Sequence, residues 1–333
     1  MEDPHARRDR NAGAVDFRLS VSNPLTERKP PITRYLSGLI IRSQSGFFNV
    51  ETEAGTLVCR LRGRLKKGKR EGDLAAIGDR VKVSRSAEAV GMIEEIEPRE
   101  RIISRLAPTP RGEYEQILIA NPDQIVLVFA CADPIPRLRM LDRFLVTAER
   151  QNVPAIVVAN KIDLVDLDQA KQMFSPYMAI GYPVVFTSAV TQRGVTELRD
   201  RLLENISVLT GPSGAGKSSL LNAIQPGLGL EVQRVSLATG KGQHTTVASE
   251  MFSLEGGGYV ADTPGLKALA LWDIEAAELD GYFPEMKPYV AGCQFSDCTH
   301  VHEPGCAVRE AVSALDIHPA RYESYVRMRQ GEI

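Results

Sequence analysis

The sequence predicts a multidomain α/β protein: a small all-β barrel, then a mostly parallel sheet with crossover helices, then a short helical region built around cysteines. Three observations predict it. Short apolar segments punctuated by Gly, Ser and charge run from about residue 36 to 102, strand and helix patterns take turns from about 120 to 225, and three of the five cysteines fall within residues 293–306.

Composition sets the bounds. At 333 residues, 43% hydrophobic and 25% charged, the chain can bury at least one large core. Its length suits about two or three domains. No apolar run reaches the roughly 18 residues of a membrane-spanning helix, and the N-terminus lacks the apolar core of a signal peptide. A soluble, cytoplasmic protein with no membrane partner is expected. The net charge of −2 conceals an asymmetry: residues 1–112 carry 22 Lys and Arg against 15 Asp and Glu, and the remainder carries 18 against 27. The N-terminal third is therefore the part that faces a polyanion.

Residues 1–35, with Pro24, Pro30, Pro31 and mixed charge, lack periodicity and read as a flexible tail. From 36 to 102, Leu39-Ile40-Ile41, Phe47-Phe48-Asn49-Val50, Thr56-Leu57-Val58-Cys59, Arg80-Val81-Lys82-Val83 and Val90-Gly91-Met92-Ile93 read as five strands. Five short strands of this kind suit an OB-fold, a barrel that binds nucleic acid through one face and its loops. After the third strand come Arg60, Arg62, Arg64, Lys66, Lys67, Lys69 and Arg70, with no acid among them. Such a run is either a solvated loop or a set of contacts to RNA phosphates.

Residues 103–275 read as one α/β domain. Gln124 to Ala130, Ala155 to Ala159, Pro183 to Phe186, Ile206 to Thr210 and Gly258 to Ala261 are strand-like, and Leu138, Leu141, Phe144 and Leu145 have helical spacing. Within it, Gly211, Pro212, Ser213, Gly214, Ala215, Gly216, Lys217 and Ser218 match G-x-x-x-x-G-K-[ST] between a strand and a helix that opens with Ser219. Glycines there let backbone N–H groups close around phosphate, Lys217 reaches the β/γ-phosphates, and Ser218 ligates Mg²⁺. Asn160, Lys161, Ile162 and Asp163 stand at the carboxyl end of another strand. An Asp carboxylate at that position accepts from guanine N1–H and N2–H₂ together, a donor pair adenine lacks, so GTP is selected. Lys161 lies along the base, and Asn160 ties the two loops. Thr187, Ser188 and Ala189 match the loop that offers an N–H to guanine O6.

Asp262, Thr263, Pro264 and Gly265 follow as a D-x-x-G element, Asp262 on the Mg²⁺ side and the Gly265 N–H on the γ-phosphate. Between them Gly240, Lys241, Gly242, Gln243, His244, Thr245 and Thr246 form a Gly-rich segment resembling a switch loop, in which Thr245 or Thr246 closes on Mg²⁺. Leu266 occupies the place of a water-orienting Gln. His244 is the nearest substitute, with a solvent-exposed or structural role as the alternative. The base motif precedes the phosphate motif, the reverse of the usual order, which predicts a circularly permuted GTPase.

Residues 276–333 contain Cys293, Cys298, His300 and Cys306, four donors suited to one closed, structural Zn²⁺ site, with reduced free thiols as the alternative and His302 as a substitute ligand. Disulfides do not fit a GTP-binding protein of the reducing cytosol, in which Cys59 and Cys131 lie in strand-like runs. The switch segment leads straight into this region, so nucleotide state could bias its position.

The order of these motifs between a basic barrel and the cysteine cluster resembles the bacterial small-ribosomal-subunit-dependent GTPase A family over about residues 36–325. The resemblance implies a late-acting assembly GTPase that binds the small (30S) subunit and its rRNA, is stimulated by it, checks the maturing decoding region and leaves after hydrolysis; a monomer is expected. It also implies the zinc, and a hydrophobic residue where other GTPases carry Gln. Two other classes fit parts of the chain: an autonomous GTPase or ATPase, and a nucleic-acid-binding module with a merely structural nucleotide site.

Overall fold

Alternation of apolar and polar residues along the first five strands turns one face of each toward a common interior. The computed structural model describes residues 35–66, 73–109, 112–228, 249–262 and 274–332. The expectations for the tail, for Lys67, Lys69 and Arg70, for His244, Thr245 and Thr246, and for Gly265 and Leu266 lie outside the described residues.

Strands β1 (Tyr35–Gln44), β2 (Phe47–Thr52), β3 (Gly55–Leu61), β4 (Arg80–Ala87) and β5 (Val90–Ile96) run side by side in the order β1-β2-β3-β5-β4, and a β1–β4 pairing closes them into a barrel. Ile40, Phe48, Val50, Leu57, Val83 and Ile93 fill its interior. A bulge between Ile40 and Arg42 bends β1. Its first half pairs with β4, and beyond the bend Arg42 and Ser43 pair with Glu250 and Ser249 of a strand from the second half of the chain.

Next, β6 (Ile102–Thr109) and β7 (Gly112–Ala120) form a separate two-stranded sheet. The Asp73 carboxylate fastens it, accepting from the Tyr114 hydroxyl at 2.6 Å and the Ile117 N–H at 3.1 Å. Nearby, Arg99 donates through Nε to the fully buried Asp79 at 2.7 Å.

The central layer comprises β8 (Gln124–Ala130), α1 (Leu138–Arg150), β9 (Ala155–Asn160), α2 (Leu167–Ile180), β10 (Val184–Thr187), α3 (Val195–Leu202), β11 (Ile206–Thr210), α4 (Lys217–Ile224), β12 (Ser249–Ser253) and β13 (Tyr259–Asp262). Its strand order is β10-β9-β8-β11-β13-β12, parallel except for β12, which also carries the barrel's β1. Every residue of β8 and β11 is buried, as continuous apolar strands covered on both faces must be. Leu141, Phe144, Leu145 and Phe174 of α1 and α2 pack in one core. Leu198, Leu202, Leu220 and Leu221 of α3 and α4 pack in another.

The last region holds the short helices α5 (Lys287–Val290), α6 (Ala307–Ser313) and α7 (Pro319–Arg329). Phe283, Met286, Val308, Ile317 and Tyr325 form its core, which Val146 of α1 joins. Among the described residues no helix is long and apolar enough to cross a membrane. The architecture is that expected from the sequence: a five-stranded barrel, a mostly parallel sheet with helices on both faces, and a helical C-terminal region.

Candidate functional site

From β8 the chain winds outward through β9 and β10, then returns to add β11 on the other side of β8. Loops leaving β8 and β11 diverge at this switch point, where open α/β sheets bind ligands. Residues 211–216 form the loop after β11. Gly211 has φ +145° and a Cβ there would lie 2.0 Å from the Val128 carbonyl oxygen, so only glycine lets the loop leave β11 against β8. Gly214 and Gly216 also have positive φ, the turn geometry that gathers backbone N–H groups into an anion-binding concavity. Helix α4 starts at Lys217 with no side-chain cap, and its positive end points into this loop, the usual setting for an anion. Lys217 Nζ donates to the carbonyls of Gly211 at 2.9 Å and Pro212 at 3.0 Å, folded over the loop. Ser218 and Ser219 stand half-buried in the first turn, Ser213 is exposed and Ala215 is buried.

On the other side, the buried Asn160 ends β9. Its Nδ2 donates to the Ala215 carbonyl at 2.8 Å and its Oδ1 accepts from the Thr187 hydroxyl at 3.0 Å. Register sets Thr187 directly opposite Asn160 on β10. Lys161 adopts a left-handed φ of 62°, and its ammonium donates to the Asp133 carbonyl in the loop after β8. That bend starts a 3₁₀ turn, Ile162–Leu164, and leaves Asp163 exposed. Burial pushes the Cys131 thiol at the end of β8 up to about 11, with the charge of Asp163 a lesser cause. The loop after β10 is a compact turn: the Ser188 N–H donates to the Arg193 carbonyl at 3.0 Å, and the Ala189 carbonyl accepts from Gln192 Nε2 at 2.8 Å. Base and phosphate motifs thus meet on one sheet edge, with Asn160 bonded to both neighbouring loops. Asp262 ends β13 beside them, its backbone opposite Leu209.

In the C-terminal region, ligand atoms of Cys293, Cys298, His300 and Cys306 all lie within 4.8 Å of one another. His300 Nδ1 is 3.4 Å from Sγ of Cys293 and of Cys306, and those two sulfurs are 3.9 Å apart. A tetrahedral ion with metal–sulfur bonds of about 2.3 Å separates its sulfurs by about 3.8 Å, so this donor set fits structural zinc. His302 is exposed and outside the group; its backbone N–H donates to Glu303. Sequence reasoning missed Asp280, whose Oδ2 lies 3.2 Å from His300 Nε2. That contact turns Nδ1 toward the sulfurs. The Tyr322 hydroxyl donates to the His300 carbonyl at 2.6 Å. Bonds from the Thr299 hydroxyl and from backbone N–H groups hold the Glu303 carboxyl well below the usual range.

The basic stretch divides. Arg62 Nη1 lies 2.6 Å from Oε1 of the buried Glu94, and Arg64 Nη2 donates to the Glu94 carbonyl at 3.0 Å. Arg60 instead lies over the Phe47 ring, 4.3 Å from its centroid. Lys66 ends the 3₁₀ turn Gly63–Lys66.

A base-binding and a phosphate-binding motif in reversed chain order on one parallel sheet, next to a barrel and a Cys₃His cluster, define the class: a circularly permuted GTPase. Residues 96–272 match the RsgA GTPase family model and residues 37–93 the RsgA N-terminal domain model. A protein of Gemmatimonas aurantiaca named small ribosomal subunit biogenesis GTPase RsgA is 46% identical over 302 residues, covering 90% of this chain and 98% of that one. One of the same name from Geobacillus thermodenitrificans is 43% identical over 292 residues, covering 87% and 94%. YjeQ from Thermotoga maritima has a similar structure, with a TM-score of 0.73 at 37% identity, covering 90% of this chain and 99% of that one. YloQ, described as a circularly permuted GTPase, gives 0.70 at 31%, covering 90% and 95%. The chain belongs to the RsgA GTPase family and is a GTP-hydrolysing enzyme.

Proposed function

We propose that this GTPase acts in the cytoplasm as a monomer in late maturation of the small (30S) ribosomal subunit. It binds the subunit and its rRNA in the GTP state, hydrolyses GTP when the subunit stimulates it, and leaves. The observation that carries this reading is the shared strand: β12 is hydrogen-bonded to the barrel's β1 on one side and to β13 on the other, and β13 ends at Asp262. An rRNA surface gripping the barrel therefore acts on a strand next to the γ-phosphate side of the nucleotide site. The names of the relatives supply the partner.

In this reading residues 1–35 are a tail, 36–102 the rRNA-binding barrel, 103–275 the GTPase domain and 276–333 the zinc domain. Asp163 accepts from the guanine edge, Lys161 lies along the base, and the loop of Thr187, Ser188 and Ala189 gives an N–H to O6. Residues 211–216 with Lys217, Ser218 and Ser219 hold the phosphates. The hydroxyls of Ser218 and of Thr245 or Thr246, with Asp262, hold the Mg²⁺ that offsets phosphate charge when GTP is bound. The Gly265 N–H marks the γ-phosphate. With Leu266 in place of Gln, His244 orients the attacking water once the subunit orders its segment.

GTP hydrolysis measured with and without purified small subunits is the test. Strong stimulation of the wild type, lost in His244→Ala with GTP affinity kept, is the expected result. Turnover indifferent to subunits would favour an autonomous GTPase. For the base site, Asp163→Asn should weaken GTP and improve xanthosine triphosphate, because an amide pairs with the xanthine O2 that a carboxylate repels. Unchanged guanine preference would remove Asp163 from that role.

A further inference from the structure

On the outer face of the barrel, Arg60 is the one described arginine of the basic stretch with no carboxylate partner among the described residues, since Glu94 takes both Arg62 and Arg64. Its guanidinium is parked on Phe47, which remains 42% exposed. The cross-strand register extends this pair into a row. Arg60 stands opposite Met92 of β5, Met92 opposite Ser84 of β4, and Ser84 opposite Tyr35 of β1. One step along, Val58 and Val90 face each other, and both are exposed, as is Tyr35. Exposed aromatic and aliphatic side chains are costly on a solvated barrel face and mark a contact surface. Here they sit in a third of the chain with 22 cations against 15 acids, so the partner is a polyanion with apolar faces of its own.

We propose that the Phe47–Arg60 pair is a stacking platform for an unpaired RNA base, with Val58, Val90 and Met92 as the apolar floor beside it. The Arg60 guanidinium and the Phe47 ring are in contact and both exposed, and Arg planes and aromatic rings are the groups on which splayed bases stack. A duplex buries its base faces and offers only phosphate and ribose, so the platform selects single-stranded or looped RNA. This inference rests on the reading of the barrel as an rRNA-binding module and specifies what it takes hold of.

The test uses the full chain with a mixed-sequence single-stranded RNA of about twelve nucleotides, within the span of one barrel of this kind, and an RNA duplex of equal length, titrated at several salt concentrations. Arg60→Lys keeps the charge and loses the planar face; Phe47→Ala removes the ring beneath it. Both positions are exposed, and a thermal melt checks that each variant is folded. Expected is a roughly five-fold or greater loss of single-strand affinity in each variant, an unchanged salt slope for Arg60→Lys, little change on duplex, and recovery in Phe47→Tyr. Fluorescence of Phe47→Trp should be quenched by the single strand and not by the duplex. Wild-type affinity in both Arg60→Lys and Phe47→Ala, with a salt slope lowered by about 0.7 only in Arg60→Ala, would make Arg60 a phosphate contact and overturn the platform. A wild-type chain that binds neither RNA would instead overturn the RNA reading of the barrel.

Discussion

One carboxylate decides which nitrogen of His300 meets the three sulfurs. With Asp280 accepting from Nε2–H, the imidazole would present its Nδ1 lone pair to an ion held among the sulfurs and be kept from rotating. Asp280→Asn should lower zinc affinity by about 10–100-fold in a chelator competition while GTP affinity stays put; equal affinities would show that packing alone orients the ring. The five thiols give a second test. Burial pushes Cys59 and Cys131 each up to about 11, so at pH 8 both are neutral as well as enclosed. A disulfide reagent should label no cysteine in zinc-loaded native protein, three after chelation, and five after unfolding. Labelling of Cys131 in the native state would contradict its burial. The Cys₃His cluster was legible in the sequence because its four side chains lie close together and are chemically distinct. Asp280, and the Glu94 that engages Arg62 and Arg64, were not. A lone carboxylate twenty or thirty residues from its partner leaves no local pattern, and only the folded chain pairs it.

At the level of elements, the phosphate loop, the base loop and the loop after β10 are joined by the two hydrogen bonds of Asn160. Asn160→Ala leaves the Ala215 carbonyl and the Thr187 hydroxyl unpaired in a buried site, at about 1–3 kcal/mol for each. Urea unfolding should show that loss together with weakened GTP binding; a variant as stable as wild type would mean water replaces the side chain. Gly216 belongs to the same joint, since a Cβ there would come within 2.4 Å of Asn160 Nδ2. The strands that carry these loops were readable because two-sided burial demands continuous apolar runs, as in β8 and β11. β12 was not readable. Ser249-Glu250-Met251-Phe252-Ser253 is a strand because β1 and β13 flank it, and no periodicity of its own announces that. The β6–β7 hairpin is similarly held from outside, by Asp73.

Across the whole molecule, the chain order alone allowed the C-terminal region to shift with nucleotide state, since it follows the switch segment. The packing ties it elsewhere. Arg321 of α7 is buried, with Nη1 2.7 Å from Asp142 of α1 and Nε 2.7 Å from Glu285. Asp142 also accepts from the hydroxyls of Ser324 and of Tyr177 on α2, and the Arg321 guanidinium lies 4.8 Å from the Phe283 ring centroid. This network joins the region that carries the Cys₃His cluster to helices α1 and α2. Buried charges of this kind are expensive to break and cheap to replace as a set. Arg321→Met leaves two carboxylates buried without their cation and should lower unfolding stability by about 3–5 kcal/mol in urea. Adding Asp142→Leu and Glu285→Met should restore much of that, because well-packed apolar groups remove the uncompensated charges. If Arg321→Met costs less than about 1 kcal/mol, the apolar contacts around Phe283, Val308 and Tyr325 alone hold the region in place. The route from nucleotide to zinc would then return to the chain connection.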